Sequence, residues 1–401
     1  MAVDLKTRRD CIARIAGVTA LGLLGGCGHV GPERPAAVPN PPAQPSRSKA
    51  LPLTAGPFRF IRPIGTRLLF EDGSPAVLRG YCFGNDVYTN RRLPVTHHNE
   101  RDYQRLRAMG MNLVRFYLHW QTFESDARPG EFLDDGWAWL DTNIEWARRH
   151  GIYLVLNFHS PPGGYQSTGK GDALWTVRSN QVRLAALWRA IAQRFANEPV
   201  IAGYDLVNEP LVPRHRSQWQ VLAQELARAI RSVDARHPVI VERVNAVAGD
   251  WSNDSQMNFV TIDDPNVIYT FHCYDPFEYT HQFASWTALR HREGGPYPQR
   301  GRDKAFLKSR LDGYIAWGRR NNAALFLGEF GAIRACYDND RGGLRWMADM
   351  VDLLGDASIP WTCHAWHEDS FGLYRGGGGR LPDPANANQP LIELLTHKLN
   401  A

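Results

Sequence analysis

Residues 201–210 have the sequence Ile-Ala-Gly-Tyr-Asp-Leu-Val-Asn-Glu-Pro. The first seven are mostly apolar, as expected for a strand that is covered on both faces in a parallel sheet. The run ends in Asn208-Glu209-Pro210, so polar side chains follow directly on a buried strand. This pattern predicts an α/β fold with polar groups gathered at the carboxyl edge of its sheet.

Similar apolar runs recur along the chain, separated by longer amphipathic stretches. The predicted strands are 77–83, 112–117, 152–158, 201–207, 238–242, 267–271, 324–328 and 359–365. The predicted helices are 100–109, 136–150, 176–196, 217–234, 303–321, 342–354 and 391–399, with only a short helical hint at 255–260. Eight strands that alternate with helices predict a single (β/α)₈ TIM barrel. Residues 67–76, with the run from Asn112, are expected to form a small β-hairpin that plugs its N-terminal end.

Polar and aromatic side chains stand at the ends of most predicted strands. In a (β/α)₈ barrel, catalytic residues lie at the carboxyl ends of the strands, so these residues are the candidates for a site. They are, in chain order, Arg115, His159, Asn208, Glu209, His272, Tyr274, Glu329 and Trp366.

Two of these candidates, Glu209 and Glu329, end the fourth and seventh strands and should face each other across the barrel mouth. A facing pair of carboxyl groups can cleave a glycosidic bond if one is protonated and the other is ionised. Arg115 and the phenol of Tyr274 are expected to hold Glu329 ionised by charge and hydrogen bonding. Trp366 would offer a flat apolar face to a sugar ring.

Seven short motifs resemble glycoside hydrolase family 5, the cellulase-type retaining enzymes, in order from about residue 60 to about residue 370. They are Leu78-Arg79-Gly80, Asn112-Leu-Val-Arg115, Phe158-His159, Tyr204-Asp-Leu-Val-Asn-Glu-Pro210, Phe271-His-Cys-Tyr274, Leu327-Gly-Glu-Phe-Gly331 and Ala365-Trp366. The resemblance implies Glu209 as acid/base and Glu329 as nucleophile, without a cofactor or a metal. It also implies supporting or sugar-binding roles for Arg115, His159, Asn208, His272, Tyr274 and Trp366.

The resemblance covers several β-glycans, so the substrate stays open at this stage. We expect endo-acting cleavage of a β-1,4-glucan, with a mannan or an exopolysaccharide as alternatives under the same mechanism. His364 and His367 flank Trp366 and Glu368-Asp369 follow it, which departs from many relatives beside the predicted sugar platform.

Two other classes of protein fit the sequence less well. A non-catalytic carbohydrate-binding barrel would typically lack one of the two carboxylates, and both are present. A serine hydrolase would need a Gly-x-Ser-x-Gly nucleophile elbow, which the sequence does not contain. Hydrolysis and transglycosylation share the same residues, so the sequence leaves both open.

The first 57 residues are predicted to export and anchor the protein. Arg8-Arg9 resembles a twin-arginine signal, and Leu24-Gly-Gly-Cys27 resembles a bacterial lipobox in which Cys27 is lipidated. The apolar run before Cys27 is shorter than the ~20 residues that span a bilayer. We therefore expect a lipoprotein signal peptide at 1–26, a disordered Pro-rich tether at 27–57 and the catalytic domain at 58–401. The predicted location is the outer membrane, periplasm or cell surface, with a polysaccharide or oligosaccharide as partner and the protein as a monomer.

Net charge and cysteine spacing bear on whether the protein binds nucleic acid or zinc. The formal net charge is +5 over 401 residues, too small to indicate a nucleic-acid partner. Cys82, Cys273, Cys336 and Cys363 match no zinc-ligand spacing, and their three complete disulfide pairings stay open beside buried free thiols. The pair His97-His98, with His364 and His367, lacks a further ligand at matching spacing, so no metal site is predicted.

Overall fold

Eight parallel strands close into a barrel in a computed structural model that describes residues 58–89, 91–167, 169–250, 258–377 and 379–400. The strands in chain order are β1 (Ile61–Ile64), β2 (Arg67–Phe70), β3 (Arg79–Phe83), β4 (Leu113–His119), β5 (Tyr153–Ser160), β6 (Ile201–Asp205), β7 (Leu211–Val212), β8 (Val239–Glu242), β9 (Ala246–Val247), β10 (Val267–His272), β11 (Ala324–Phe330) and β12 (Trp361–Cys363). The barrel order is β3-β4-β5-β6-β8-β10-β11-β12, and β12 pairs with β3 to close it. The predicted (β/α)₈ barrel and all eight of its strands are confirmed.

Helices surround the barrel and pack apolar faces against it. They are α1 (Glu100–Ala108), α2 (Asp134–Arg149), α3 (Asp172–Thr176), α4 (Arg178–Phe195), α5 (Ser217–Arg231), α6 (Phe277–Thr280), α7 (Lys304–Arg320), α8 (Gly343–Ala357) and α9 (Gln389–Asn400). Short 3₁₀ turns cover Trp120–Thr122, Arg334–Tyr337 and Pro384–Asn386. All seven predicted helices are present, whereas α3 and α6 were not predicted because each is too short to show helical periodicity.

The interval after β8 departs from the regular alternation. Residues 258–260 are not helical, and the remainder of the expected helix at 255–260 lies outside the described residues. β9 instead pairs with β7 in a small parallel ladder beside the barrel. The predicted helix therefore has no support in the part of this segment that the structure describes.

The N-terminal end of the barrel is closed by the antiparallel hairpin of β1 and β2. Gly65 takes a φ of +59° in the turn between them, a conformation that glycine adopts without strain. The inner face of the hairpin packs into the lower barrel interior through a single apolar cluster: Ile61, Leu68, Phe70, Ala76, Leu78, Leu113, Tyr153, Val155, Ala202, Ile240, Ile268, Ala324 and Phe326. The predicted plug is confirmed, but its expected partner was wrong because the run after Asn112 forms the barrel strand β4.

Four cysteines lie in the described residues, and Cys82, Cys273, Cys336 and Cys363 are all buried free thiols. Burial raises the pKa of Cys82 to about 12, so this thiol stays protonated. Among the helices described, none is long and apolar enough to cross a membrane. The predicted signal peptide, Cys27 and the tether lie outside the described residues.

Candidate active site

Arg115 lies at the centre of a buried polar network inside the C-terminal half of the barrel. Its Nε donates to Asp205 at 2.8 Å and its Nη1 donates to Glu329 at 2.6 Å. Its Nη2 donates to Asn208 at 2.9 Å and to Glu242 at 2.6 Å. A fully buried guanidinium needs such partners because an unpaired charge there would be strongly destabilising. Arg115, on β4, therefore ties the ends of three other strands, β6, β8 and β11, to one another.

Glu329 is held from both sides by phenols as well as by this guanidinium. Tyr117 donates to its Oε1 at 2.5 Å and Tyr274 donates to its Oε2 at 2.8 Å. The preceding Gly328 leaves room for this packing, since a Cβ there would lie 2.7 Å from Thr270 and 3.1 Å from His272. The carboxylate of Glu329 is thus fixed in position, with two hydrogen bonds to Oε1 and one to Oε2.

The charge state of Glu329 follows from this environment. Burial alone would raise its pKa, but His272, His364 and Arg115 outweigh burial and hold the pKa well below its usual range. Hydrogen bonds to the charged form act in the same direction. Glu329 is therefore ionised at neutral pH, which is the state that a nucleophilic carboxylate requires.

Glu209 faces Glu329 but lies in a different setting. Its side chain is 17% exposed, against 6% for Glu329. Its backbone has a φ of +42°, a left-handed conformation that is strained for a non-glycine residue and often found at functional sites. The backbone N–H of Glu209 donates to Glu242 at 2.8 Å, and this bond holds the residue in place.

The spacing of the two glutamates suits one class of glycosidase chemistry. An oxygen of Glu209 and an oxygen of Glu329 lie within 4.8 Å of each other. Retaining enzymes have carboxyl groups about 5–5.5 Å apart, whereas inverting enzymes need about 6.5–9.5 Å to admit a water molecule. The arrangement fits direct attack by one carboxylate.

His272 bridges the two glutamates. Its Nδ1 lies 2.9 Å from Glu209 Oε1 and 3.5 Å from Glu329 Oε2, and its Nε2 lies 3.4 Å from Glu242 Oε1. Burial lowers the pKa of His272, but Glu242, Glu329 and Glu209 outweigh it and raise the pKa to about 10. The imidazolium therefore contributes positive charge to the mouth at neutral pH.

The same three residues, Glu209, His272 and Glu329, are the one group of potential metal ligands in the described part of the chain. Their atoms already satisfy one another, since His272 Nδ1 is within hydrogen-bond distance of Glu209 and Tyr274 bonds to Glu329. A metal ion at this position would have to displace a proton from His272, because a histidine nitrogen binds metal only when it is deprotonated. Mutual hydrogen bonding accounts for this cluster.

One wall of the mouth consists of stacked rings. His159 packs on Tyr117 with ring centroids 3.8 Å apart, and its Nε2 lies 3.0 Å from the hydroxyl of Tyr88. Tyr165 stacks on the other side of His159 at 5.3 Å. Burial lowers the pKa of His159 well below its usual range, so this imidazole is neutral. His159 and Tyr117 are buried in this stack, so the rings of it that can contact a sugar are those of Tyr88 and Tyr165, which are at least partly exposed.

The predicted sugar platform at Trp366 is wrong. The indole has no exposed surface, because it packs between Tyr81, Phe83 and Tyr374. Its Nε1 donates to Asp102 of α1 at 3.2 Å. Trp366 therefore belongs to the core behind β12, and no face of it is available to a ligand.

The structure brings six of the predicted site residues into one hydrogen-bonded cluster: Arg115, Asn208, Glu209, His272, Tyr274 and Glu329. It also reveals partners that the sequence analysis did not assign to the site: Tyr117, Asp205, Glu242 and His364. Each of these four is a polar residue within or just after an apolar strand, which was the signal available. Glu242, the last residue of the run Val-Ile-Val-Glu, gave the clearest such signal.

The comparisons with known proteins agree with this geometry. The family model described as Cellulase (glycosyl hydrolase family 5) matches residues 71–370. Endoglucanase C of Acetivibrio thermocellus is 26% identical over 324 residues, which cover 75% of this chain and 91% of that protein.

Solved structures are similar in fold. Cel5A of Thermotoga maritima in complex with cellobiose superposes with a TM-score of 0.66 at 23% identity, covering 80% of this chain and 97% of that one. The same enzyme in complex with mannotriose superposes with a TM-score of 0.65 at 22% identity, with the same coverage.

Proposed function

This chain belongs to glycosyl hydrolase family 5 and is a glycosidase, and from that premise we propose that it cleaves a β-1,4-glucan internally with retention of configuration. We assign Glu329 as the nucleophile and Glu209 as the acid/base. The observation that carries this assignment is the facing pair of carboxyl groups, with oxygens within 4.8 Å.

The first step breaks the glycosidic bond. Glu329, kept ionised by its neighbours, attacks the anomeric carbon while Glu209 gives its proton to the departing sugar oxygen. The C–O bond to the leaving sugar breaks as the ester bond to Glu329 forms. Arg115 and Tyr274 hold the attacking carboxylate in a fixed position.

The second step releases the sugar. Glu209, now ionised, takes a proton from water, which attacks the anomeric carbon and displaces Glu329. His272 lies against both carboxylates and can stabilise the negative charge that moves between them. Asn208, anchored by Arg115 and by Ser167 at 3.0 Å, is placed to meet a sugar hydroxyl next to the cleaved bond.

Two similar proteins indicate the class of substrate. One is named endoglucanase C, and the other, Thermotoga maritima Cel5A, has been solved in complex with cellobiose and with mannotriose. We propose a β-1,4-glucan as the main substrate, on the basis of endoglucanase C and of the cellobiose complex. A mannan is the second candidate, favoured by the mannotriose complex of the neighbour.

The test is release of reducing ends from soluble β-glucans, mannan and xylan by the mature protein, with Glu329→Gln measured in parallel. We expect release from a β-1,4-glucan that the variant abolishes, together with a rapid fall in viscosity that reports internal cleavage. Activity on mannan alone would identify mannan, and not a β-1,4-glucan, as the substrate. Full activity of the Glu329→Gln variant would refute the assignment of Glu329 as nucleophile.

We also propose that the protein is exported and anchored through a lipid on Cys27, with residues 27–57 as a tether and the enzyme as a monomer. The lipobox-like sequence supports the anchor. Cells that express the full chain should hold it in the membrane fraction, and Cys27→Ala should release it. Persistence of the variant in the membrane would contradict lipidation, and light scattering of the released protein would measure its mass in solution.

A further inference from the structure

His364 follows β12 and extends the network around Glu329. Its Nδ1 lies 3.1 Å from the hydroxyl of Tyr117, which itself donates to Glu329. Its Nε2 lies 3.6 Å from Glu368 Oε2, and the imidazole is only 10% exposed. Four groups thus form a line that runs from Glu329 through Tyr117 and His364 to Glu368.

The charge on Glu329 and the hydroxyl of Tyr117 determine which atoms along this line carry a hydrogen. Tyr117 has a single hydroxyl hydrogen, which it donates to the ionised Glu329. Burial raises the pKa of Tyr117 well above its usual range, so the phenol keeps that hydrogen. The oxygen of Tyr117 can therefore only accept from His364, whose Nδ1 must carry a hydrogen.

The other nitrogen of the ring faces a carboxylate. If His364 were neutral with its hydrogen on Nδ1, Nε2 would be a bare acceptor opposite the acceptor oxygens of Glu368. A second proton on Nε2 turns this repulsion into a charge-assisted contact. The geometry therefore favours a doubly protonated His364 whenever Glu368 is ionised.

We propose that His364, held as an imidazolium by Glu368, is a positioning residue that keeps Glu329 ionised and correctly oriented through Tyr117. The proposal rests on the nucleophilic role proposed above for Glu329. His364 acts through a neighbour and not on the reacting atoms. The nearby positive charge also contributes to the low pKa of Glu329, after the opposing effect of burial and the contribution of His272.

In the part of the chain that the structure describes, the other groups packed around His364 and Tyr117 add no further charge that would oppose the effect of His364 on Glu329. Tyr274 and Phe371 pack against its ring at 6.4 Å and 5.5 Å, and His281 packs behind both of them. His159 stacks on the far side of Tyr117 and is neutral. The other charges near Glu329 are those of Arg115 and His272, which are present with or without a charge on His364.

The test compares three variants at one loop. His364→Asn keeps a nitrogen donor near Tyr117 but removes the charge, and Glu368→Gln removes the anion that retains the second proton. Asp369→Asn is the matched control, because it neutralises an exposed carboxylate one position along the chain. The readout is kcat/KM on soluble β-glucan from about pH 4 to about pH 9.

Loss of the imidazolium raises the pKa of Glu329, and activity is lost as pH falls through that pKa. On the acidic side of the pH profile, the pH at which kcat/KM falls to half its maximum should therefore rise by about one unit in His364→Asn and Glu368→Gln. It should stay at the wild-type value in Asp369→Asn. At the optimum, both variants should lose roughly tenfold in kcat/KM. If His364→Asn does not fold, the pH profile of Glu368→Gln tests the proposal, with the same expected change.

An unmoved acid limb in a folded variant would overturn the proposal, since a merely structural histidine would alter the rate without altering the pH profile. Failure of the underlying function has a different signature. In that case the wild type would cut no polymer, or Glu329→Gln would remain active.

Discussion

The two ends of the barrel use the same strands for opposite purposes. At the N-terminal end, β1 and β2 insert Ile61, Leu68 and Phe70 into an interior that is lined by apolar side chains. At the C-terminal end, the interior holds Arg115 and three carboxylates within hydrogen-bond distance. Both interiors are buried, so burial by itself does not distinguish a core from a site.

The difference lies in what the buried groups require. Apolar packing needs only volume and shape, and each contact stabilises the fold independently of pH. The polar end needs every donor matched to an acceptor, and removing one partner leaves another charged group unpaired. We therefore expect substitutions at the apolar end to change stability and substitutions at the polar end to change chemistry.

The largest effect expected is at the polar end and separates the two glutamates. Glu329→Gln should lower kcat on any substrate by about 10⁴-fold, because no covalent intermediate can form. Glu209→Gln should lose as much on a polysaccharide but far less on an aryl glycoside with an acidic phenol, whose departure needs no proton. Measured kcat values on both substrates check this, and equal losses for both variants on the aryl glycoside would contradict the assignment.

The matching change at the apolar end is Phe70→Ala. The ring of Phe70 stacks on Tyr153 with centroids 5.9 Å apart and is buried under the barrel. Its loss should lower the free energy of unfolding by about 3–5 kcal/mol, as for other buried phenylalanines. Denaturant unfolding measures the loss, and kcat at a temperature where the variant is folded should stay at the wild-type value. A reduced kcat would show that the two ends are coupled.

A pH-dependent effect on stability is expected next, from His272. Its pKa is raised to about 10 in the folded protein, above that of an exposed histidine. The stability that its charge contributes is therefore fully present below about pH 6.5 and is lost as pH rises through about 10. Unfolding free energies should fall more steeply with rising pH in the wild type than in His272→Asn. Parallel curves would mean that the imidazole is not charged in the folded state.

The smallest effect is expected from an ion pair on the outside of the barrel. Arg194 of α4 and Asp141 of α2 are 45% and 41% exposed. Asp141→Asn should change the free energy of unfolding by less than about 1 kcal/mol and leave kcat unaltered, because water screens exposed pairs. A loss comparable to that of Phe70→Ala would show that exposure does not weaken this pair.

The sequence predicted the strands and both glutamates because these features are local. An apolar run followed by Asn208-Glu209 is visible in ten consecutive residues, and the barrel brings such ends together. The partners Tyr117 and Glu242 were missed because their roles depend on contacts with Arg115 and Glu329 across the barrel.

The error at Trp366 has a different origin. A tryptophan after the last strand matched a motif, but the direction of a side chain beyond a strand end depends on the local path of the backbone. In the structure the ring of His364 reaches the network around Glu329, while the indole of Trp366 turns into the core. Position relative to a strand end therefore predicts proximity to a site better than it predicts orientation.

The stereochemistry of the first product tests the central claim most directly. Proton NMR of the anomeric signals, recorded before mutarotation, distinguishes the two possible mechanisms in one experiment. Attack by Glu329 at the observed carboxylate separation predicts that the newly formed reducing end appears first as the β-anomer. Initial formation of the α-anomer would mean that water attacks directly, and it would contradict the assignment of Glu329 as nucleophile.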